Sequence, residues 1–171
     1  MFDSSEDDGQ SGCGVDGVVH PFDLKSALFA KHAQHVVLVH FPIALFLTGV
    51  VFDVAARWTK SATRKATLAA AARLNLLAAA VAVVPTLATG IVAWQWQLAG
   101  QKLKGLLLLH LVFGCTSSFL ICLVGWIHFR QRRGSGLALP GYYLPLELLT
   151  AAVVALTAHL GGFLSGVNVP G

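Results

Sequence analysis

Charged residues are scarce in this chain. Of its 171 residues only 12% are Asp, Glu, Lys or Arg, whereas 56% are hydrophobic. Soluble domains carry about a quarter charged residues, so this composition does not suit a protein surrounded by water. The formal net charge of +4 does not indicate nucleic-acid binding, because the basic residues form short clusters between apolar runs. Basic loops beside membrane spans explain these clusters better.

Sequence motifs of common enzymes are also missing. The chain contains no GxSxG, no P-loop and no HExxH, the patterns of serine hydrolases, phosphate-binding NTPases and zinc proteases. Its three cysteines show neither CxxC nor zinc-ligand spacing. We therefore expect a protein without intrinsic catalytic activity.

Acidic residues are nearly absent beyond the first 25 positions, which hold six of the eight acids. A charged, glycine-containing stretch with little apolar surface cannot offset the entropy cost of ordering. The sequence therefore predicts a disordered acidic tail over residues 1–25 and one membrane domain over residues 26–171.

Four long apolar runs fill that domain. A transmembrane helix needs about 20 mostly apolar residues, and the runs predict spans at about 35–56, 74–96, 105–129 and 143–165. The second helical run extends from Ala66 to Trp96 and follows a basic linker, 61–65. Because that run is longer than the hydrocarbon core, its first part is expected at the interface. The predicted fold is an all-α four-transmembrane-helix bundle in contact with lipid.

Loop charge predicts the orientation of the bundle. The first and third connections carry seven Lys or Arg residues, while the N-terminal approach and the second connection carry four. Basic loops stay in the cytoplasm. This bias predicts a multi-pass protein of the bacterial inner (cytoplasmic) membrane with both termini on the outer side.

Three stretches resemble a known family. They are HVVLVHFPIALFLTGVVFDVAA at 35–56, ATGIVAWQW at 88–96 and HLGGFLSGVNV at 159–169. They are similar to a bacterial four-helix membrane family known as domain of unknown function 2231. Family members usually carry an acid where this chain has Ala93. The resemblance implies a four-helix membrane fold, and relatives joined to iron–sulfur or cytochrome modules suggest respiratory chemistry by analogy.

Histidines near the outer ends of the spans are the main candidates for a site. His40 lies nine residues after Lys31, His110 six after Lys104, and His159 nine before Asn168. At the helical rise these offsets are about 9 to 14 Å, so three helices would present imidazoles at similar depth, with His35 slightly nearer the surface.

An ionisable group inside a span is costly and often functional. The histidine cluster, if its side chains converge, would suit haem b, a metal ion or a quinol, and the neighbouring glycines would admit a flat ring. Each histidine is equally typical of a side chain that bonds a backbone carbonyl or lies among lipid headgroups. The cofactor is therefore an open question at this stage.

Three charged residues lie near the predicted cytoplasmic ends of the spans: Asp53, Arg73 and Glu147. Since an unpaired charge in hydrocarbon is expensive, we expect Arg73 to pair with Asp53 or Glu147. Arg57, one turn after Asp53, is an alternative partner. His128 shares a helix face with His110 at the same end, but no second histidine from another span is available there to complete a haem site.

These observations favour an integral membrane subunit with a redox role, joined to respiratory or other membrane-complex subunits. A cofactor-free structural anchor for a partner complex is the alternative. A small transporter ranks third, because the chain lacks inverted repeats.

Overall fold

Four long helices make up the computed structural model, which describes residues 31–97, 102–131 and 141–164. Helix α1 covers Lys31–Trp58 and α2 covers Ala62–Val92. A π-helical turn, Ala93–Gln97, continues α2, and α3 and α4 cover Gly105–Gln131 and Tyr143–Leu164. The described residues contain no strand. The predicted acidic tail, 1–25, lies outside them.

All four helices are long and apolar enough to cross a membrane: Gln34–Trp58, Ala62–Gln95, Gly105–Arg130 and Tyr143–Leu164. Helices satisfy their own backbone hydrogen bonds, which is what a segment surrounded by lipid requires. The predicted all-α bundle of four membrane-spanning helices is confirmed, and the chain is a multi-pass membrane protein.

The connection between α1 and α2 is shorter than the predicted basic linker. Ser61 adopts an extended conformation, and its side chain accepts a hydrogen bond from the backbone N–H of Arg64. An N-cap of this kind satisfies one of the free donors at a helix start. The helix therefore begins at Ala62, and the prediction that residues 61–65 form a linker is wrong.

Pro42 connects α1 to α2 through the hydrogen bond that it cannot make. A proline inside a helix has no N–H, so the carbonyl four residues earlier loses its partner. Here that carbonyl belongs to Leu38, and the hydroxyl of Thr86 on α2 donates to it at 3.3 Å. Thr86 also donates to Ala82 on its own helix at 2.9 Å. α1 continues through Pro42 as helix because the neighbouring helix satisfies the exposed carbonyl.

Each helix packs against the next in sequence, and a weaker contact between α1 and α4 closes the bundle. α1 and α3 therefore lie diagonally across it. The interior is apolar along most of its length. Its buried hydrophobic side chains are Phe46, Val50, Leu76, Ala79, Val83, Ile121, Val124, Tyr143 and Val154.

The two helical hairpins, α1–α2 and α3–α4, repeat one packing pattern. Buried positions 42, 46, 49, 50 and 53 of α1 are followed at one constant separation by buried positions 117, 121, 124, 125 and 128 of α3. A second constant separation relates 72, 76, 79 and 83 of α2 to 143, 147, 150 and 154 of α4. The same face of each helix is thus buried in both hairpins, although few of the side chains are the same.

Candidate functional site at the two ends of the bundle

His35 near the start of α1 points to the end of α2. Its Nδ1 lies 3.2 Å from the hydroxyl oxygen of Thr89. That hydroxyl donates its single proton to the carbonyls of Pro85 and Thr86, each at 3.0 Å, so it must accept from His35. The Nδ1 atom therefore carries the ring proton. Nε2 is left with its lone pair, the form in which histidine binds a metal.

Gly90 provides the space for this ring. A Cβ atom at position 90 would lie 3.0 Å from Cε1 of His35, closer than side chains normally approach. Any larger residue would push the imidazole away from α2. The position of His35 therefore depends on a glycine and a threonine in one turn of the neighbouring helix.

His110 occupies the equivalent position in the second hairpin. It follows His35 at the separation that relates α3 to α1, and it packs against Gly161, which follows Gly90 at the separation that relates α4 to α2. A Cβ at Gly161 would lie 3.1 Å from Cε1 of His110. The ring has the backbone carbonyl of Thr157 as a hydrogen-bond partner.

The two imidazoles form a pair at one end of the bundle, which we call the histidine end. They come from diagonally opposed helices and are close enough to interact electrostatically. Both rings are only partly exposed. The Nδ1 atom of His110 is buried and has no hydrogen-bond partner among the described residues. A buried polar atom of this kind needs a partner from outside the chain, such as a water molecule or a ligand.

The other two predicted site residues do not join this pair. His40 and His159 are exposed on the outside of the bundle. His40 bonds through Nδ1 to the carbonyl of Val36 on its own helix, and His159 packs edge-on against Phe163 with ring centroids 4.8 Å apart. The prediction that His40, His110 and His159 all face the interior is wrong for the first and the last.

Helix geometry explains this error. Residue counts from the helix ends fix the depth of a side chain, but its direction turns by about 100° per residue. His40 follows His35 by five residues, which places it roughly 140° around α1. A residue at the right depth can thus face lipid.

The opposite end of the bundle holds a cluster of ionisable groups, which we call the charged end. Asp53, His128 and Glu147 are buried there, with 2%, 5% and 0% of their surface exposed. Arg57 donates through Nε to Oδ2 of Asp53 at 2.9 Å. Nε2 of His128 lies 3.4 Å from Oε1 of Glu147. The carboxyl groups of Asp53 and Glu147 are themselves within hydrogen-bond reach of each other.

Arg73 does not form the predicted ion pair. Among the described residues the ion pairs are Arg57 with Asp53 and His128 with Glu147. Arg73 lies near enough to His128 to interact electrostatically, and its Nε is buried without a partner in the described part of the chain. The nearer guanidinium prevails because Arg57 is one helical turn from Asp53, the spacing at which side chains on one helix meet.

His128 is the site residue that the sequence argument set aside. It follows Asp53 at the separation that relates α3 to α1, so the two groups hold equivalent positions in the two hairpins. The repeated pattern of buried positions was the signal for this. Its ring packs edge-on against Tyr143, with centroids 4.6 Å apart, and the Tyr143 hydroxyl donates to the Val124 carbonyl at 3.3 Å.

The arrangement limits which cofactors the chain could hold. No group of three His, Cys, Asp or Glu side chains within the described ranges could bind a metal ion. This argues against a metal centre built from three such side chains there. A cofactor that needs two imidazoles from opposite helices, as haem b does, fits the donor set at the histidine end.

Comparison with known proteins gives one match. The family described as "Predicted membrane protein (DUF2231)" matches residues 31–168, a range that includes all four helices and both ends of the bundle. No curated protein and no solved structure matches the chain.

Proposed function

This chain belongs to the DUF2231 family of predicted membrane proteins, and we propose that it is a redox subunit in which His35 and His110 bind haem b. The observation that carries the proposal is the paired geometry of these residues. Two diagonal helices each present an imidazole at the same end, and each ring is placed by a glycine of the next helix. Cofactor sites in helix bundles are built in this way, from side chains on facing helices.

The ring contacts support the same reading. Axial histidines of metal sites usually donate their second N–H to a carbonyl or another oxygen, which fixes the ring orientation. His35 has Thr89 in this role, and the His110 ring has the Thr157 carbonyl. Bound haem would supply one-electron transfer. The chain itself contributes ligands, orientation and an apolar surrounding, and needs no catalytic group of its own.

The proposal extends to the location of the protein. We place it in the bacterial inner membrane with the histidine end outward and both termini outside, because the basic loops belong in the cytoplasm. The site would then exchange electrons at the outer face. Its partners would be respiratory or other membrane-complex subunits.

A difference spectrum tests the haem directly. Wild-type protein purified in detergent after expression with haem supply should show b-type bands in the reduced-minus-oxidised spectrum. His35→Ala and His110→Ala should each lose most of that signal. His40→Ala and His159→Ala are matched controls, because these histidines are exposed, and should retain it.

Other outcomes would exclude haem at this pair. Bands that survive both interior substitutions, or that disappear equally in the two controls, would contradict the assignment. A colourless wild type that binds a quinone analogue, with binding lost in His110→Ala, would replace haem by a quinol. A colourless protein without quinone binding would favour the cofactor-free anchor.

A further inference from the structure

The charged end contains a carboxyl pair that the redox proposal does not use. Asp53 on α1 and Glu147 on α4 are the only acidic side chains in the four helices. They come from helices whose contact is the weakest of those that close the bundle. Both are buried, and each is within hydrogen-bond reach of the other.

A hydrogen bond between two carboxyl groups requires a proton. An ionised carboxylate only accepts, so at least one of the pair must carry an O–H to donate. Asp53 already accepts from the guanidinium of Arg57 at 2.9 Å, which favours its ionised form. The proton therefore belongs on Glu147.

The surroundings of Glu147 agree with this placement. Oε1 has His128 as a neighbour at 3.4 Å. Oε2 is buried and receives no hydrogen bond from any donor in the described residues. A proton on Oε2 would turn an acceptor without a partner into a donor toward Asp53, which removes the cost of leaving it unsatisfied.

The remaining charges around the pair are positive. α1 contributes Arg57 and α2 contributes Arg73, whose electrostatic contact is with His128 rather than an acid. α3 contributes His128 itself, and α4 contributes Tyr143, whose ring packs against His128. The acids are thus enclosed by groups from all four helices. An exchangeable proton has neighbours here that can accept it.

We propose that Glu147 is the centre of a proton-binding site at the charged end, with Asp53 as hydrogen-bond acceptor and His128 as the adjacent exchange partner. On binding, a proton from water forms an O–H bond on the Glu147 carboxylate. On release that bond breaks, the proton returns to water and Glu147 becomes anionic beside His128. This site is independent of the haem proposal, since it lies at the other end of the bundle.

Infrared spectroscopy of the full chain in lipid bilayers tests this site. A protonated carboxyl has a C=O stretching band that a carboxylate lacks. Carboxyl groups exposed to water, with pKa values near about 4, are ionised at neutral pH. Wild-type protein at neutral pH should therefore show one such band, shifted in D₂O. It should be lost in Glu147→Gln, a variant that keeps the shape of protonated glutamate.

A second substitution separates the two acids. Asp53→Asn removes the acceptor and the Arg57 partner but leaves Glu147, so the band should persist at a changed frequency. Absence of the band from the wild type would overturn the proposal without any variant. A band retained in Glu147→Gln but lost in Asp53→Asn would place the proton on the wrong acid, and would overturn it too.

Discussion

Two glycines show how single atoms determine the histidine end. Gly90 and Gly161 hold equivalent positions in α2 and α4, and each contacts the Cε1 atom of one imidazole. A side chain of even one carbon would compete with the ring for the same space. Their role is steric room for a neighbour, which differs from the conformational freedom that glycine provides in turns.

We predict that Gly90→Ala and Gly161→Ala each displace an imidazole and reduce cofactor binding by about tenfold or more, equivalent to about 1.4 kcal/mol. Haem content per protein, measured from the absorption spectrum, checks this. Gly114→Ala is the matched control, because a Cβ there would meet only Thr157 at 4.0 Å. Equal haem content in all three variants would show that the glycines do not place the ligands.

At the level of helices, the contact between α1 and α2 depends on small residues and one shared hydrogen bond. A Cβ at Gly49 would come within 2.7 Å of the Leu76 side chain and 3.2 Å of the Ala72 carbonyl, so the two helices approach closely there. Close approach through small residues is a usual means of association in membranes. The Thr86 bond to Leu38 adds a polar contact at the proline.

We predict that Gly49→Ala destabilises this contact by about 1 to 3 kcal/mol, the usual cost of overpacking. Leu76 would have to move, and the Ala72 carbonyl belongs to the helix backbone and cannot. Thermal or denaturant unfolding in detergent would measure the loss, with Gly114→Ala again as reference. A Gly49→Ala protein as stable as the reference would mean that α1 and α2 are farther apart than described.

The proline provides a sharper test of the same contact. Thr86→Val should cost about 0.5 to 1.5 kcal/mol, because it leaves the Leu38 carbonyl without a donor. In a Pro42→Ala background residue 42 has an N–H that can bond this carbonyl, so the same threonine substitution should cost less. A double-mutant cycle with Thr67→Val as control, since Thr67 bonds only to Thr63 on its own helix, measures the difference. An identical cost in both backgrounds would refute the proposed bond.

Element-level features were largely predictable from the sequence, whereas side-chain directions were not. Apolar runs gave the four helices because length and hydropathy alone determine what crosses a bilayer. The start of α2 was missed because the cap at Ser61 depends on a local hydrogen bond. His40 and His159 were misplaced because depth does not specify rotation about a helix axis. Arg73 was given the wrong partner because choosing between two guanidinium groups needs distances.

At the scale of the whole molecule, the bundle consists of two hairpins with one packing design and two different ends. Equivalent positions hold histidines at one end, His35 and His110, and ionisable groups at the other, Asp53 and His128. Both pairs lie on α1 and α3, separated by five helical turns, or about 27 Å. That distance approaches the roughly 30 Å hydrocarbon core of a bilayer, so the two sites serve opposite faces of the membrane.

Cysteine labelling tests the proposed orientation. In a background where the three native cysteines are replaced, Lys102→Cys should react with an impermeant maleimide in intact cells, because it precedes α3 at the histidine end. Lys60→Cys, between α1 and α2, should react only after the cells are opened. The reverse pattern would place the histidine end in the cytoplasm.

The central claim is that His35 and His110 together bind one haem, and electron paramagnetic resonance of the oxidised protein tests it most directly. The account predicts a low-spin ferric signal of two imidazole ligands in the wild type and in His159→Ala. His110→Ala should convert the remaining haem to high spin or lose it. A low-spin signal that His35→Ala and His110→Ala leave unchanged, or a wild type without a ferric signal, would contradict the claim.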